Sequence, residues 1–413
     1  MATPKQLLVA GGGIGGLAAA LACARAGWQV RVFERAAAFS EVGAGVQLGP
    51  NVVRLLQAWD LGAALRAVAA FPARLHVRDA ASGQALATLD LAAMPARYGA
   101  AYATVHRADL LALLHQAVAP LADVALALDR RVQGFEDDGR RVLLRTAGQA
   151  AVEGDALLGA DGLWSGVRAQ LLGDGPPRLT GHLAYRALLP QAALPAALRS
   201  SEVTAWLGPR LHLVSYPVRA GAALNVVAFV HGVPPGGERG ATPDALAHWD
   251  HATNAADLQA AMAGCCAPLQ DLVRTVPAWR LWVLADRPPL RAAAQQARGR
   301  VALLGDAAHP MRPYLAQGAG MAIEDAEALG RALRQANTAG IAVPTLLARY
   351  ALERWQRNAR VQARALRNGR IFHATGPVRW GRNLSLRLLG ERLLDMPWLY
   401  GAAYATDTGT PSR

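Results

Sequence analysis

Five glycines fall within six consecutive positions, Gly11-Gly12-Gly13-Ile14-Gly15-Gly16, and no other stretch restricts the fold as strongly. Glycine is costly inside a helix and permissive in turns, so the run reads as a turn between two regular elements. The apolar run Gln6-Leu7-Leu8-Val9-Ala10 before it has the length of a buried strand. Residues 17–26 after it form an alanine-rich helix stopped by Gly27, and Gln29-Val30-Arg31-Val32-Phe33 is a second strand ending at Glu34. Gly11-x-Gly13-x-x-Gly16 therefore lies between a strand and a helix, with an acid 18 residues beyond Gly16. That is the context in which such a fingerprint binds a dinucleotide. Glycines admit the backbone to a pyrophosphate, the helix N-terminus offers N–H groups and positive potential, and Glu34 can accept from a ribose hydroxyl. Residues 7–24 are also 18 consecutive uncharged residues, the length of a membrane span, and Lys5 before them imitates a signal peptide. The glycines break both of those helices.

A length of 413 residues suits two domains and a tail. The 53% apolar content can build large cores, and the three cysteines, Cys23, Cys265 and Cys266, make no disulfide framework. A reducing cytoplasm is the expected location. The formal net charge is +13, but Lys5 is the only lysine, and the rest of the 43 basic residues are arginines in an alanine-rich chain. That composition looks like a coding bias. Such a field attracts anionic substrates and cofactors. No basic run interleaved with aromatics marks a nucleic-acid surface, so no nucleic-acid partner is expected. No metal site is expected either.

Beyond Glu34, the stretch Glu41-Val42-Gly43-Ala44-Gly45-Val46-Gln47-Leu48-Gly49-Pro50-Asn51 spaces two glycines by one alanine. Two readings stay open: backbone lying close to something flat, or an ordinary loop before a helix over 52–59. Residues 74–79, the turn Ala80-Ala81-Ser82-Gly83, and 84–91 read as a β-hairpin. His106-Arg107-Ala108-Asp109 opens an amphipathic helix carrying Leu110, Leu111, Leu113 and Leu114. Arg107 opposes the helix dipole there, which either an anionic ligand or simple exposure would accommodate. Strand-like segments follow at 131–135 and 142–146. Ala156-Leu157-Leu158-Gly159-Ala160 then leads into Asp161-Gly162-Leu163-Trp164-Ser165-Gly166-Val167-Arg168. An apolar strand ending in Asp-Gly suits a nucleotide, though alone it is a common turn.

From about 179 to 285 the βα alternation gives way to strands, at 203–207, 211–216 and 224–231. Alternate strand residues share a face, so His212, Val214 and Tyr216 point one way and Leu211, Leu213 and Ser215 the other. Four residues separate His212 from Tyr216, roughly 13 Å along a strand. They cannot share one proton directly, but they can flank an aromatic ring from two ends. The plain alternative is a half-buried strand with two polar-tipped core residues.

Arg300-Val301-Ala302-Leu303-Leu304 is another buried-strand run. It enters Gly305-Asp306-Ala307-Ala308-His309-Pro310 and then a glycine-containing turn before a helix with Glu324 and Asp325. Asp306 can bind a ribose hydroxyl, and Gly318 and Gly320 can expose helix N-terminal amides to a partly anionic ring. The tail over 349–392 reads as helical. Its arginines are expected on a solvated face with no clear apolar stripe opposite, hence no stable membrane association.

Together, the Gly11/Gly13/Gly16 turn with Glu34, the Asp161-Gly162-x-x-Ser165-x-x-Arg168 segment and Gly305 to Pro310 resemble three fingerprints of one family. It is the single-component FAD-dependent aromatic hydroxylases, with the para-hydroxybenzoate hydroxylase fold. The chain looks most like salicylate hydroxylase, 3-hydroxybenzoate 6-hydroxylase and 6-hydroxynicotinate 3-monooxygenase. His212-Leu213-Val214-Ser215-Tyr216-Pro217, Ala316-Gln317-Gly318-Ala319 and Trp398-Leu399-Tyr400-Gly401 carry that likeness. The resemblance implies an α/β fold: a Rossmann-like FAD-binding domain, an inserted mixed β-sheet substrate domain and a C-terminal helical tail. The first would span 1–72, 100–178 and 286–345, the second 73–99 and 179–285, and the tail 346–413.

The resemblance also implies roles for residues. FAD would be held by Gly11, Gly13, Ile14, Gly16, Glu34 and Arg35, with Arg107 and Asp306. Asp161 would sit where FAD and the nicotinamide nucleotide both approach. Gly45, Val46 and Gln47 would lie by the isoalloxazine, and Pro313, Gly318, Ala319, Gly320 and Met321 near its reactive edge. His212, Tyr216, Gln317 and Pro313 would form the catalytic group. Gln47, Arg186 and Tyr314 would join His212 and Tyr216 around the substrate. The hydroxynicotinate enzymes carry histidine where Gln47 and Tyr314 stand here, which points away from that substrate.

The implied reaction uses NADH or NADPH to reduce FAD. O2 then forms a flavin C4a-hydroperoxide that attacks a phenolic ring, ionised with the help of His212 or with Tyr216 as relay. The expected partners are O2 and a small phenolic aromatic acid of the hydroxybenzoate or salicylate type, with a homodimer as the candidate assembly. Two rivals stand beside this reading. One is a flavin hydroxylase of a larger lipophilic ring, a quinone or polyketide, wanting fewer polar anchors. The other is a non-catalytic flavin-binding redox sensor.

Overall fold

A computed structural model of the chain describes residues 4–39, 44–232, 251–253 and 255–401. Glu41, Val42 and Gly43 of the glycine-spaced stretch lie outside those residues.

Gln6–Ala10 lies inside a six-stranded sheet ordered Ala297–Arg298, Val301–Leu303, Ala156–Gly159, Gln6–Ala10, Gln29–Phe33, Val124–Ala127. Every neighbouring pair is parallel except the short edge pair at 297–303. Parallel strands are covered on both faces by their crossover helices, so they read as unbroken apolar runs. Leu7, Leu8, Val9 and Ala10 are accordingly all buried. Ile14–Arg25 covers one face and packs tightly on Gly318–Ala339. A Cβ at Gly330 would stand 2.8 Å from the Ala22 carbonyl oxygen, so a glycine is needed at that crossing. The uncharged span 7–24 is thus a strand, a turn and a helix. Among the described residues no helix is long and apolar enough to cross a membrane.

A second sheet has eight strands, ordered His251–Thr253, Trp279–Asp286, Arg178–Pro190, Ala223–His231, Leu211–Val218, Val203–Gly208, Arg74–Asp79, Ala85–Asp90. The hairpin at 74–90 joins it through a parallel pairing of Arg74–Asp79 with Val203–Gly208, which makes the sheet mixed. Leu183, Tyr185, Leu213, Val226, Ala228 and Leu281 line one face. Two helices, Ala256–Ala261 and Ala267–Thr275, close it with Leu258, Leu269, Leu272 and Val273. The strand-only reading of 179–285 missed both helices, because each is short and the second shows its apolar face only at Leu269, Leu272 and Val273. Alternation then turns His182, Ala184 and Arg186, His212 and Tyr216, and Asn225, Phe229 and His231 to the other face.

The tail differs from its expected form. Val343–Phe372 is a 30-residue helix whose arginines are not all solvated. Arg354 is 1% exposed; its Nε donates to Asp325 Oδ1 at 2.7 Å and a terminal nitrogen to Glu324 Oε2 at 2.9 Å. Arg357 Nε also reaches Glu324 Oε2 at 2.7 Å, and His309 Nε2 lies 2.6 Å from Asp325 Oδ2. Burial alone would raise the Asp325 pKa, but His309 and Arg354 hold it well below the usual carboxylate range. The next helix, Gly376–Leu389, reverses the expected polarity. Arg379 turns in to Asp79 at 2.9 Å and Arg382 to the Phe372 carbonyl at 2.7 Å. An apolar stripe of Trp380, Leu384 and Leu388 is left outside, with Trp380 and Leu388 each 74% exposed. The expectation that this tail lacks such a stripe is corrected on that point.

Candidate active site

The glycine turn opens into a cleft of about 510 Å³ at the end of the parallel sheet. Gly11, Gly13, Ile14, Glu34, Arg35, Arg107, Asp161, Asp306, Gly318 and Ala319 all line it. Each motif glycine has its own reason. A Cβ at Gly11 would strike the Ala160 carbonyl oxygen at 2.4 Å, and Gly11 has φ +102° besides. A Cβ at Gly16 would lie 1.9 Å from the Gly11 carbonyl oxygen, so Gly16 serves the close helix–strand approach and does not line the cleft. Gly13 has nothing within 4 Å of its added Cβ: it faces the cleft itself.

The cleft fits FAD on its own chemistry. Ile14–Arg25 and Gly318–Ala339 both begin at it, and neither has a side-chain cap. Their first N–H groups are therefore available to a pyrophosphate and to a partly anionic ring. Glu34 accepts from Gly12 N at 2.7 Å and Ala36 N at 2.9 Å, which fixes a carboxylate with capacity left for ribose hydroxyls. Arg107 opens Arg107–Val118 at the cleft wall, where a bound anion would offset its conflict with the dipole.

The second and third motifs clamp each other. Ser165 Oγ donates to Asp161 Oδ1 at 2.5 Å and accepts from Arg168 N at 2.9 Å, capping Gly166–Leu172. Burial raises the Asp161 pKa, with these hydrogen bonds opposing it. The Arg168 guanidinium is buried and donates to the carbonyls of Ala307 (3.1 Å) and Ala308 (2.5 Å), while pairing with Asp174 at 2.6 Å. Arg168 thus holds the Asp306 turn in place.

The polar sheet face meets this assembly through Gly45–Leu48. Tyr216 Oη donates to the Gly45 carbonyl at 2.6 Å, and Gly45 N donates to Asn225 Oδ1 at 2.6 Å. Gln47 Oε1 accepts from Tyr102 Oη at 2.6 Å. Gly45, Val46 and Gln47 do not line the cleft; their strand pairs with Ala103–His106, which leads directly into Arg107 on the cleft wall. Pro313 starts the turn Pro313–Leu315, with Tyr314 buried behind it. Gln317 is buried next to Asn51, and a Cβ at Gly320 would meet Val52 at 2.8 Å. Met321 is fully buried, its amide bonded to the Gln317 carbonyl and its sulfur beside Arg354. It belongs to the helix packing and not to the cleft.

His212 and Tyr216 share a face as expected but keep different company. His212 stacks on Phe229 at 4.5 Å between ring centroids, and its Nδ1 lies 2.6 Å from His373 Nε2. Burial, then His373 and His182, push the His212 pKa well below its ordinary value, so it is a neutral imidazole. Burial pushes the Tyr216 pKa up and its proton is committed to Gly45, which suits a positioning role better than a proton relay. Arg186 lies over the Trp282 ring at 4.6 Å and near Tyr216. Tyr314 Oη is 2.5 Å from His182 Nδ1. Sequence reasoning missed His182, Asn225, His231 and His373. The strand phase could have shown that His182 shares a face with Arg186, but nothing local marks His373.

A parallel sheet with a dinucleotide cradle, tied through Gly45 to a polar-faced mixed sheet, is an arrangement suited to a flavin-dependent oxidoreductase. The family described as "FAD binding domain" matches residues 5–216 and 244–365. A 3-hydroxybenzoate 6-hydroxylase of Polaromonas naphthalenivorans (strain CJ2) is 38% identical, over 96% of this chain and 95% of that protein. A salicylate hydroxylase substrate complex superposes with a TM-score of 0.81 at 25% identity, covering 98% of this chain and 97% of that one. Klebsiella pneumoniae HpxO, complexed with FAD and uric acid, gives 0.80 at 27% identity, covering 94% of each chain. The chain belongs to the FAD-binding-domain family and is an FAD-dependent aromatic monooxygenase.

Proposed function

We propose that the chain hydroxylates a small phenolic aromatic acid on the polar face of the mixed sheet. In this reading residues 1–72, 100–178 and 286–345 bind FAD, and residues 73–99 and 179–285 bind substrate. The observation that carries it is the double tie of Gly45 to Tyr216 and Asn225, which joins the strand beside the cofactor cleft to the sheet face bearing His212 and Arg186. Bound FAD supplies the redox chemistry, accepting hydride from NADH or NADPH and activating O2. The chain's own task is to place the ring and move a proton.

Arg186, braced on Trp282, is the partner for the carboxylate. His212 takes the phenol proton on Nε2 and passes its Nδ1 proton to His373 Nε2. His373 Nδ1 is 2.9 Å from Nε2 of the exposed His231, so the same shift delivers a proton to the surface. Phe229, Tyr314 and Phe372 surround His212 and exclude water. The number of polar anchors on this face favours an aromatic acid over a lipophilic quinone or polyketide. The test is a screen of hydroxybenzoates and related phenolic acids for stimulated NADH oxidation, with products identified by mass. A product heavier by one oxygen is expected. NADH oxidation that no phenolic acid stimulates, or that only a quinone stimulates, overturns this reading.

A further inference from the structure

Three histidines remote in sequence converge at the edge of the polar sheet face. His182 and His231 are direct partners across antiparallel strands, with ring centroids 4.2 Å apart. His373, just past the end of Val343–Phe372, stacks on His182 at 5.0 Å. One ring nitrogen from each lies within 4.8 Å of the others. We propose that His182, His231 and His373 form a site for a zinc-type divalent cation.

The donor set and its surroundings support a cation. Imidazole nitrogens suit zinc, which binds them at about 2.0–2.1 Å, and three such ligands leave a fourth position for water. Metal-bound histidines normally give their second N–H to a fixed acceptor, which sets the tautomer. Two of the three have that acceptor here. His182 Nδ1 lies against Tyr314 Oη at 2.5 Å, leaving Nε2 for a metal. His373 Nε2 lies against His212 Nδ1 at 2.6 Å, leaving Nδ1, which is 2.9 Å from His231 Nε2. His231 is exposed, so it gives an entry path and a ligand that can adjust to the metal. Three arginines stand nearby: Arg312 is paired with Asp286 at 2.8 Å, Arg382 donates to the Phe372 carbonyl, and Arg210 lies by the exposed His231.

The test uses the tag-free, FAD-loaded protein after treatment with a chelator. Calorimetric titration with zinc chloride should show one equivalent that is lost or weakened at least about 10-fold in His231→Gln and in His182→Gln. Removing even an outer partner of a ligand costs about 10–100-fold, so removing a ligand should cost no less. His231 is exposed, so its variant should fold, with retained FAD as the check. Absence of zinc binding, or binding unchanged in both variants, overturns the site, whatever the substrate is.

Discussion

His373 Nε2 sits 2.6 Å from His212 Nδ1, so the end of a C-terminal helix is built onto the polar face of a sheet 161 residues earlier. The tail is therefore part of the proposed site. Replacing His212 with alanine should leave the hydride step intact, because His212 lies outside the cofactor cleft. NADH oxidation should still respond to substrate, while product per NADH falls and H2O2 rises. Loss of a general base costs about 100-fold or more in its own step. If the variant makes one product per NADH at the parent rate, His212 is an ordinary strand residue.

Asp306 follows the positive-φ Gly305 and lines the cleft near Gly318, 3.8 Å from where a Cβ on Gly318 would stand. Asp306→Ala should weaken FAD binding by roughly 1–3 kcal/mol, the scale of a hydrogen bond lost from an otherwise satisfied site. Fluorescence titration of the apoprotein with FAD measures it. An unchanged dissociation constant would remove Asp306 from the ribose.

Much of the cofactor half is legible locally. The glycine turn, Glu34 and the Asp-Gly after 156–160 are contiguous signals, because a phosphate cradle is made by one turn between one strand and one helix. The substrate half was legible only in part. Strand phase puts His212 with Tyr216, but their neighbours come from register: Phe229 opposite His212, Asn225 opposite Tyr216 and His231 opposite His182. The buried arginine network failed to announce itself because Arg354, Asn358 and Gln362 repeat every four residues on a helix that looks polar. The partner helix, with Glu324 and Asp325, explains why Arg354 and Asn358 face inward, and Gln362 turns in to the Leu290 amide and the Pro310 carbonyl.

That network predicts an acid-sensitive fold. Asp325 has a pKa depressed by His309 and Arg354 against the effect of burial, so its unfolded value, near 3.9, is higher than its folded one. Between those values the unfolded chain binds the extra proton. The stabilisation is therefore complete above about pH 4–5 and is lost as pH falls toward the folded pKa. In Asp325→Asn the urea midpoint should drop at neutral pH by the equivalent of about 3–5 kcal/mol, since two buried partners lose their counter-charge. Its decline between pH 5 and pH 3 should also be shallower than the parent's. Parallel pH profiles for the two proteins would mean that Asp325 titrates alike in both states.

Gly369 stands inside the long helix with no turn or positive φ to explain it. Helix propensity alone favours alanine there by about 1 kcal/mol. The contact that requires glycine is with Tyr314: an added Cβ would fall 2.6 Å from its Cδ2 and 2.7 Å from its Cε2. The ring cannot retreat easily, because it is buried, lies edge-on to Phe229 and His212, and has its hydroxyl on His182. Forcing a methyl into a filled core costs about 1–3 kcal/mol. Gly369→Ala should therefore end near neutral or up to about 2 kcal/mol less stable, despite the better helix former. Its sharper effect should be on the site. Displacing Tyr314 loosens the enclosure of His212, so product per NADH should fall while FAD affinity, set in a cleft that Gly369 does not line, stays the same. Thermal unfolding with a coupling assay decides it: a variant that is more stable than the parent and fully coupled would show that the ring gives way freely and that Gly369 has no part in shaping the site.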